Sequence, residues 1–106
     1  MTEIPNPRNE RADTLAAVKI NLRISTDALD TELDEQISAC LADLAVCGIA
    51  EPDETDPLIL NAIKLWCRRE FTDDTEKAEA YLKRYDALKA CLMMAAGYGG
   101  ADDVAD

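Results

Sequence analysis

Apolar residues recur along this chain at steps of three and four, the spacing of one helical face, in four separate runs. The clearest is DPLILNAIKLWCRREF, residues 56–71. There Ile59, Ala62, Ile63, Trp66 and Glu70 fall on one face, and Leu58, Leu65 and Phe71 widen it. Asp56 can accept hydrogen bonds from the first free backbone N–H groups, and Pro57 suits a first turn where its missing N–H has no partner to lose. Arg68 and Arg69 stand near the other end, where cations oppose the negative pole of the helix dipole. So broad an apolar surface, carrying the only Trp, predicts the central strut of a small bundle.

The other runs are plainer. A short helix is expected from near Asp13 or Thr14 to about Leu22, with Leu15, Val18 and Leu22 on one side. Ser25, Thr26 and Asp27 interrupt it with side chains that compete for backbone hydrogen bonds. A second helix is expected to be capped at Asp30 or Thr31, with Thr31 and Asp34 at capping-box spacing. It carries Leu33, Ile37, Cys40, Leu41 and Leu44 inward and stops at Gly48, which suits a left-handed cap. The polar loop AEPDETD leads to the Asp56 helix. After a break at residues 72–74, where Asp73 and Glu76 have cap spacing, a long helix from about Thr75 to Ala96 carries Ala78, Tyr81, Leu82, Tyr85, Leu88, Leu92 and Ala95 as its stripe. Met93 and Met94 lie outside a narrow stripe, as core filling or as a contact with another chain. Nothing alternates with the period of a strand. The fold class is therefore all-α, a small bundle of about four helices with flexible termini. Residues 1–12 are expected as a flexible N-terminal arm, 13–97 as the helical domain and 98–106 as a disordered acidic tail.

Composition sharpens this picture. At 106 residues the chain suffices for a single core, and with 5% aromatic residues that core must be mostly Leu, Ile, Val and Ala. The net charge is −11, which argues against a surface that grips nucleic acid by neutralising phosphates. The excess is uneven: residues 1–56 hold 13 acids and 4 bases, residues 57–106 hold 9 and 7. Acids on the first half either keep the protein soluble or face a basic partner.

Candidate chemistry is sparse. Without histidine, a Ser, His, Asp triad, an HExxH site and a Cys and His zinc site are all closed. Cys40, Cys47, Cys67 and Cys91 form no CxxC pair and lie within apolar helical patterns, so buried reduced thiols are expected, with no cofactor. No apolar run is long enough to span a membrane, and a soluble cytoplasmic protein is expected. Two ExxE spacings, Glu32 with Glu35 and Glu76 with Glu79, fit metal-binding carboxylates of an all-helical pyrophosphohydrolase. They fit equally the ordinary preference for acids in a first helical turn. Lys64, Arg68, Arg69, Lys77, Lys83, Arg84 and Lys89 ride on the last two helices, as a solvated face with ion pairs such as Lys83 or Arg84 to Glu79 or Glu76, or in part as a docking surface.

Two segments together, LAAVKINLRISTDALDTELDEQISACLADL and DPLILNAIKLWCRREF after an acidic loop, resemble the phage head-tail connector family of DNA-packaging proteins. In that family a short helix ends in a Leu-Arg-Ile turn, matched by Leu22, Arg23 and Ile24. A later apolar helix, often with a Trp, is followed by basic residues, matched by Trp66, Arg68 and Arg69. The likeness spans about Thr14 to Gly97. It implies a structural, non-enzymatic protein of the virion, present in the host cytoplasm during assembly. It would form a ring with copies of itself, dock on the portal protein and meet tail-completion proteins, and let DNA pass through the lumen without specific binding or any role for a membrane. On that expectation Glu32, Asp34, Glu35 and Asp43 form an acidic channel face, together with part of the loop Glu51 to Asp56. Arg68, Arg69, Lys83, Arg84, Met93 and Met94 form contacts between chains. The competing expectation is an acidic DNA mimic that inhibits a DNA-acting enzyme.

Overall fold

The computed structural model describes residues 7–95, with side chains from residue 10 onward. Among the described residues the chain is four helices and no strand: α1 (Pro7–Leu22), α2 (Asp30–Val46), α3 (Pro57–Glu70) and α4 (Thr75–Met94). The all-α bundle expected from the periodicity is the observed fold. The expectations for residues 1–6 and for the acidic tail, 98–106, lie outside the described residues.

Successive helices alternate in direction. Arg11 of α1 reaches Asp34 of α2 while Lys19 reaches Asp30, so α1 and α2 are antiparallel. Glu10, Thr14 and Leu60 line one pocket and Asn21 meets Arg68, so α1 and α3 run together. Arg68 meets Tyr81 and Trp66 meets Tyr85, so α4 returns along α3.

The α3 helix packs against all three others, as the strut reading expects. Its cap is the one anticipated: the Asp56 side chain accepts from the N–H groups of Leu58 at 2.8 Å and Ile59 at 3.4 Å, and Pro57 occupies the first turn. Ile59, Ala62, Ile63 and Cys67 are buried, and Trp66 is half-buried beside them. From α2, Leu33, Ile37, Cys40 and Leu44 complete the core, with Val18 of α1 and with Tyr85 and Leu92 of α4.

Two helices end in the same device. At the end of α2, Gly48 (φ +105) donates to Ala45 O at 3.1 Å and Ile49 donates to Leu44 O at 3.0 Å, with Ile49 buried against the core. This is the six-to-one, five-to-two Schellman pairing that a left-handed glycine permits. At the end of α1 the identical pattern recurs, Arg23 to Ile20 O at 3.1 Å and Ile24 to Lys19 O at 2.9 Å. There the left-handed residue is Arg23, at φ +61. The Leu22, Arg23, Ile24 turn is thus a Schellman cap built on a side chain that the conformation strains.

Four expectations are corrected. The first helix begins at Pro7, six residues before Asp13, so residues 7–12 are not part of a free arm. These first turns carry no apolar stripe, and Arg11 anchors them with polar contacts instead: it meets Asp34 Oδ1 at 2.7 Å, Ser38 Oγ at 3.0 Å and Glu54 Oε1 at 2.8 Å. The α2 helix has Leu29 at its N-cap with no side-chain cap, because the Asp30 carboxylate lies 2.8 Å from Lys19 Nζ instead of folding back on its own backbone. The cap of α4 is Asp74, not Asp73, accepting from Glu76 N at 2.9 Å and Lys77 N at 3.1 Å. On α4 only Tyr85 and Leu92 of the anticipated stripe are fully buried, and Leu82 is exposed, because α4 lies at the edge of the bundle and leans chiefly on α3.

The cysteines divide as well. All four are free thiols; Cys40 and Cys67 are buried, Cys47 is half-buried and Cys91 is exposed. Burial pushes the Cys40 and Cys67 thiols up to about 12. Maleimide at neutral pH is expected to label Cys91 first in the native protein and to reach Cys40 and Cys67 only on unfolding, read by intact mass. A second prediction concerns the strained cap. Relief of the left-handed penalty, roughly 1–2 kcal/mol, exceeds the backbone entropy that glycine costs, roughly 0.5–1 kcal/mol, so Arg23→Gly is expected to raise stability by roughly 0.5–1 kcal/mol in denaturant melts.

Candidate functional site

The acidic residues expected to share a channel face do not share a role. Asp34 is tied to Arg11. Asp43 accepts from the Tyr85 hydroxyl at 2.6 Å and from Lys89 Nζ at 3.0 Å, joining α2 to α4. Burial alone would raise the Asp43 carboxyl, but the Tyr85 and Lys89 hydrogen bonds and the nearby Lys89 and Arg69 charges outweigh it and hold it below the ordinary carboxylate value. The Tyr85 hydroxyl is pushed well above its usual range, first by burial and then by that carboxylate. Asp34, its side chain half exposed, and Asp43 therefore both act as fasteners between helices. Glu32 and Glu35 stand exposed on the outer side of α2. In the acidic loop Glu54 pairs with Arg11, Asp53 accepts from Thr55 and Asp56 caps α3, while Glu51, at φ +41, is exposed. Among the described residues no group of three or more His, Cys, Asp or Glu is placed to hold a metal ion, and Glu32, Glu35, Glu76 and Glu79 are all exposed.

The basic residues divide in the same way. Arg68 is a latch rather than a free contact. Its guanidinium donates to Asn21 Oδ1 at 2.7 Å, Asn21 O at 3.2 Å and Tyr81 Oη at 3.1 Å, and lies 5.4 Å from the Tyr81 ring centroid. It joins the end of α1 to α3 and α4. Arg69 stacks over Trp66 at 4.9 Å and bonds Glu70, while the Trp66 indole N–H donates to Gln36 of α2 at 2.8 Å. The expected pairs of Lys83 or Arg84 with Glu76 or Glu79 are not formed, and both cations are exposed. Met93 is 41% and Met94 85% exposed, so neither fills the core.

Sequence reasoning missed a concavity at the shared end of α1 and α3. An open pocket of about 380 Å³ is lined by Asn21, Leu22, Arg23, Arg68, Phe71, Thr72 and Tyr81. A second, of about 220 Å³, shares Asn21 and Arg68 and adds Asn61, Lys64, Leu65 and Arg84. Together they form a basic groove between α1 and α4 with α3 as its floor. The only local signal was Arg23 at a helix end where glycine is the ordinary residue. A third pocket, of about 210 Å³ at the opposite end of the α1 and α3 seam, is acidic, with Glu10, Asp13 and Glu54.

The arrangement offers charged surfaces and tight internal latches, with no metal-holding cluster among the described residues. A family model described as phage connector protein matches residues 14–99, most of the chain. The chain matches no curated protein and no solved structure.

The Asp43 fastener has a definite pH signature. Because its folded carboxyl lies below the ordinary value of 3.8, its contribution is complete above that pH and is lost as the pH falls through the folded value. Asp43→Asn is expected to cost about 1 kcal/mol at neutral pH, the site being part-exposed, and to flatten the loss of stability toward acid in melts taken from about pH 7 to about pH 3.

Proposed function

Because the chain belongs to the phage connector protein family, we propose that it is a head-tail connector: copies form a ring that docks on the portal, supports DNA packaging and joins the tail. The match across residues 14–99 carries this reading, since it covers nearly all of the described bundle rather than one helix.

The physical chemistry supports it. A ring through which DNA passes gains by avoiding a basic lining, because counterion release rewards adhesion to cations; a chain of net charge −11 has acids enough to supply such a lining. Closing a ring needs two different surfaces per subunit that meet head to tail. The bundle has a basic groove on one side and exposed carboxylates and apolar residues elsewhere. The role is structural: contacts with the portal and with tail-completion proteins inside the virion, rather than turnover of a substrate. An acidic DNA mimic would need carboxylates spaced along an elongated surface, whereas residues 57–106 carry 9 acids against 7 bases, and Asp34, Asp43, Glu54 and Asp56 are engaged within the chain.

Electron microscopy of the full chain mixed with purified portal tests the reading. A ring of added density on one end of the portal is expected. A bare portal at saturating protein would overturn it.

A further inference from the structure

The groove between α1 and α4 is a basic surface on an acidic chain. Its floor is the side of α3 opposite the core: Asn61, Lys64 and Arg68 stand about half a turn around the helix from Ile59, Ala62 and Ile63, with Leu65, which also packs against the core, at its margin. Leu58, 44% exposed, continues that strip toward the start of α3. Arg23, Lys64 and Arg84 form no ion pair with any described residue. Arg23 holds a left-handed conformation at the groove's mouth, so strain is retained at a position where glycine would relieve it and would remove the cation.

A complementary strip exists on the far side of the bundle. Glu32, Glu35, Ala39, Ala42 and Val46 recur at steps of three and four along the outer face of α2, all exposed, Val46 at 85%. The strip is about 21 Å long, acidic in its first half and small and apolar in its second. The groove has the same division, with cations toward the end of α3 and Leu58 at its beginning.

We infer that the groove seats the outer face of α2 from a second copy of this chain, Glu32 and Glu35 against Arg23, Lys64 and Arg84, and Ala42 and Val46 toward Leu58. The inference rests on the ring proposed above and names its subunit contact. Matching acid to base and apolar to apolar makes the incoming α2 run antiparallel to α3, the direction that the chain's own α2 already takes. Copies related by rotation about an axis along the helices keep that direction, so each α3 lies between its own α2 and its neighbour's. The two surfaces are different and lie on opposite sides of the subunit, as a heterologous, ring-closing contact demands. Glu32 and Glu35 then meet a neighbour instead of lining the lumen.

Charge reversal tests this. Lys64→Glu with Arg84→Glu, and separately Glu32→Arg with Glu35→Arg, are followed in the full chain by sedimentation velocity, alone and with purified portal, with circular dichroism confirming the fold. Each pair is expected to weaken assembly by about tenfold or more, and all four changes in one chain to restore it. Arg23→Gly is expected to raise the melting temperature and yet weaken assembly, a combination that a purely structural residue would not give. Asp13→Arg, in the acidic pocket, is expected to leave assembly unchanged.

Reversed variants that assemble like the wild type, failure of the fourfold change to restore assembly, or disruption by Asp13→Arg in their place would overturn the contact while leaving the ring intact. A wild-type chain that neither self-associates nor lands on the portal would overturn the ring and the contact together. Unchanged assembly with lost retention on duplex DNA in Lys64→Glu with Arg84→Glu would make the groove a nucleic-acid surface and overturn the inference.

Discussion

A single helix holds this bundle together, and it can bury only part of its circumference. The α3 helix turns Ile59, Ala62, Ile63 and Cys67 toward the core it shares with α1, α2 and α4. Burying apolar surface stabilises by about 25 cal/mol per Å², and with 5% aromatic residues the core gathers that area from aliphatic side chains of every helix, most of them meeting on this one rod. The remaining side of α3 is left between α1 and α4, which flank it without covering it. Core and groove are therefore two sides of one element.

Polar latches set the geometry that apolar packing leaves loose. Arg11 ties α1 to α2 and to the loop before α3; Arg68 ties the end of α1 to α3 and α4; Asp43 ties α2 to Tyr85 and Lys89 of α4. Each joins elements that are distant in sequence, and each satisfies a charge that is only partly exposed to water. Hydrogen bonds to charged groups are worth more than neutral ones and are directional, so three such ties restrict how the helices can slide on a core of aliphatic side chains. They also engage six of the charged side chains, Arg11, Asp34, Asp43, Glu54, Arg68 and Lys89, so what remains for a partner is less than the composition implies. The net charge describes the chain; the distribution of unengaged charges describes its faces.

Much of the fold was legible because its signals are local. Asp56 before Pro57, Gly48 after Leu44 and the three-and-four spacing of Leu33, Ile37, Cys40 and Leu44 each act within a turn or two of their own position. The early start of α1 was not legible, since PRNERA has no apolar stripe and is held by partners 23 and 43 residues away. The α4 stripe was overread for the opposite reason: Leu82 keeps helical spacing, yet it stays 36% exposed on a helix at the edge of the bundle. Among the candidate interface residues, Arg68 and Asp43 were indistinguishable in sequence from Lys83 and Glu32. Their difference depends on whether Asn21, Tyr81 or Tyr85 is within reach.

By itself the sequence determined the helical class, the order of the elements, two of the caps, the character of the core and a resemblance to connectors, because periodicity and capping are properties of neighbouring residues. Tertiary structure alone decided which charges are spent inside the molecule and that Arg23, Lys64, Arg68 and Arg84 gather along one groove. Those facts follow from where antiparallel helices bring residues tens of positions apart, and the spacing of residues along one helix carries no record of what stands on the next.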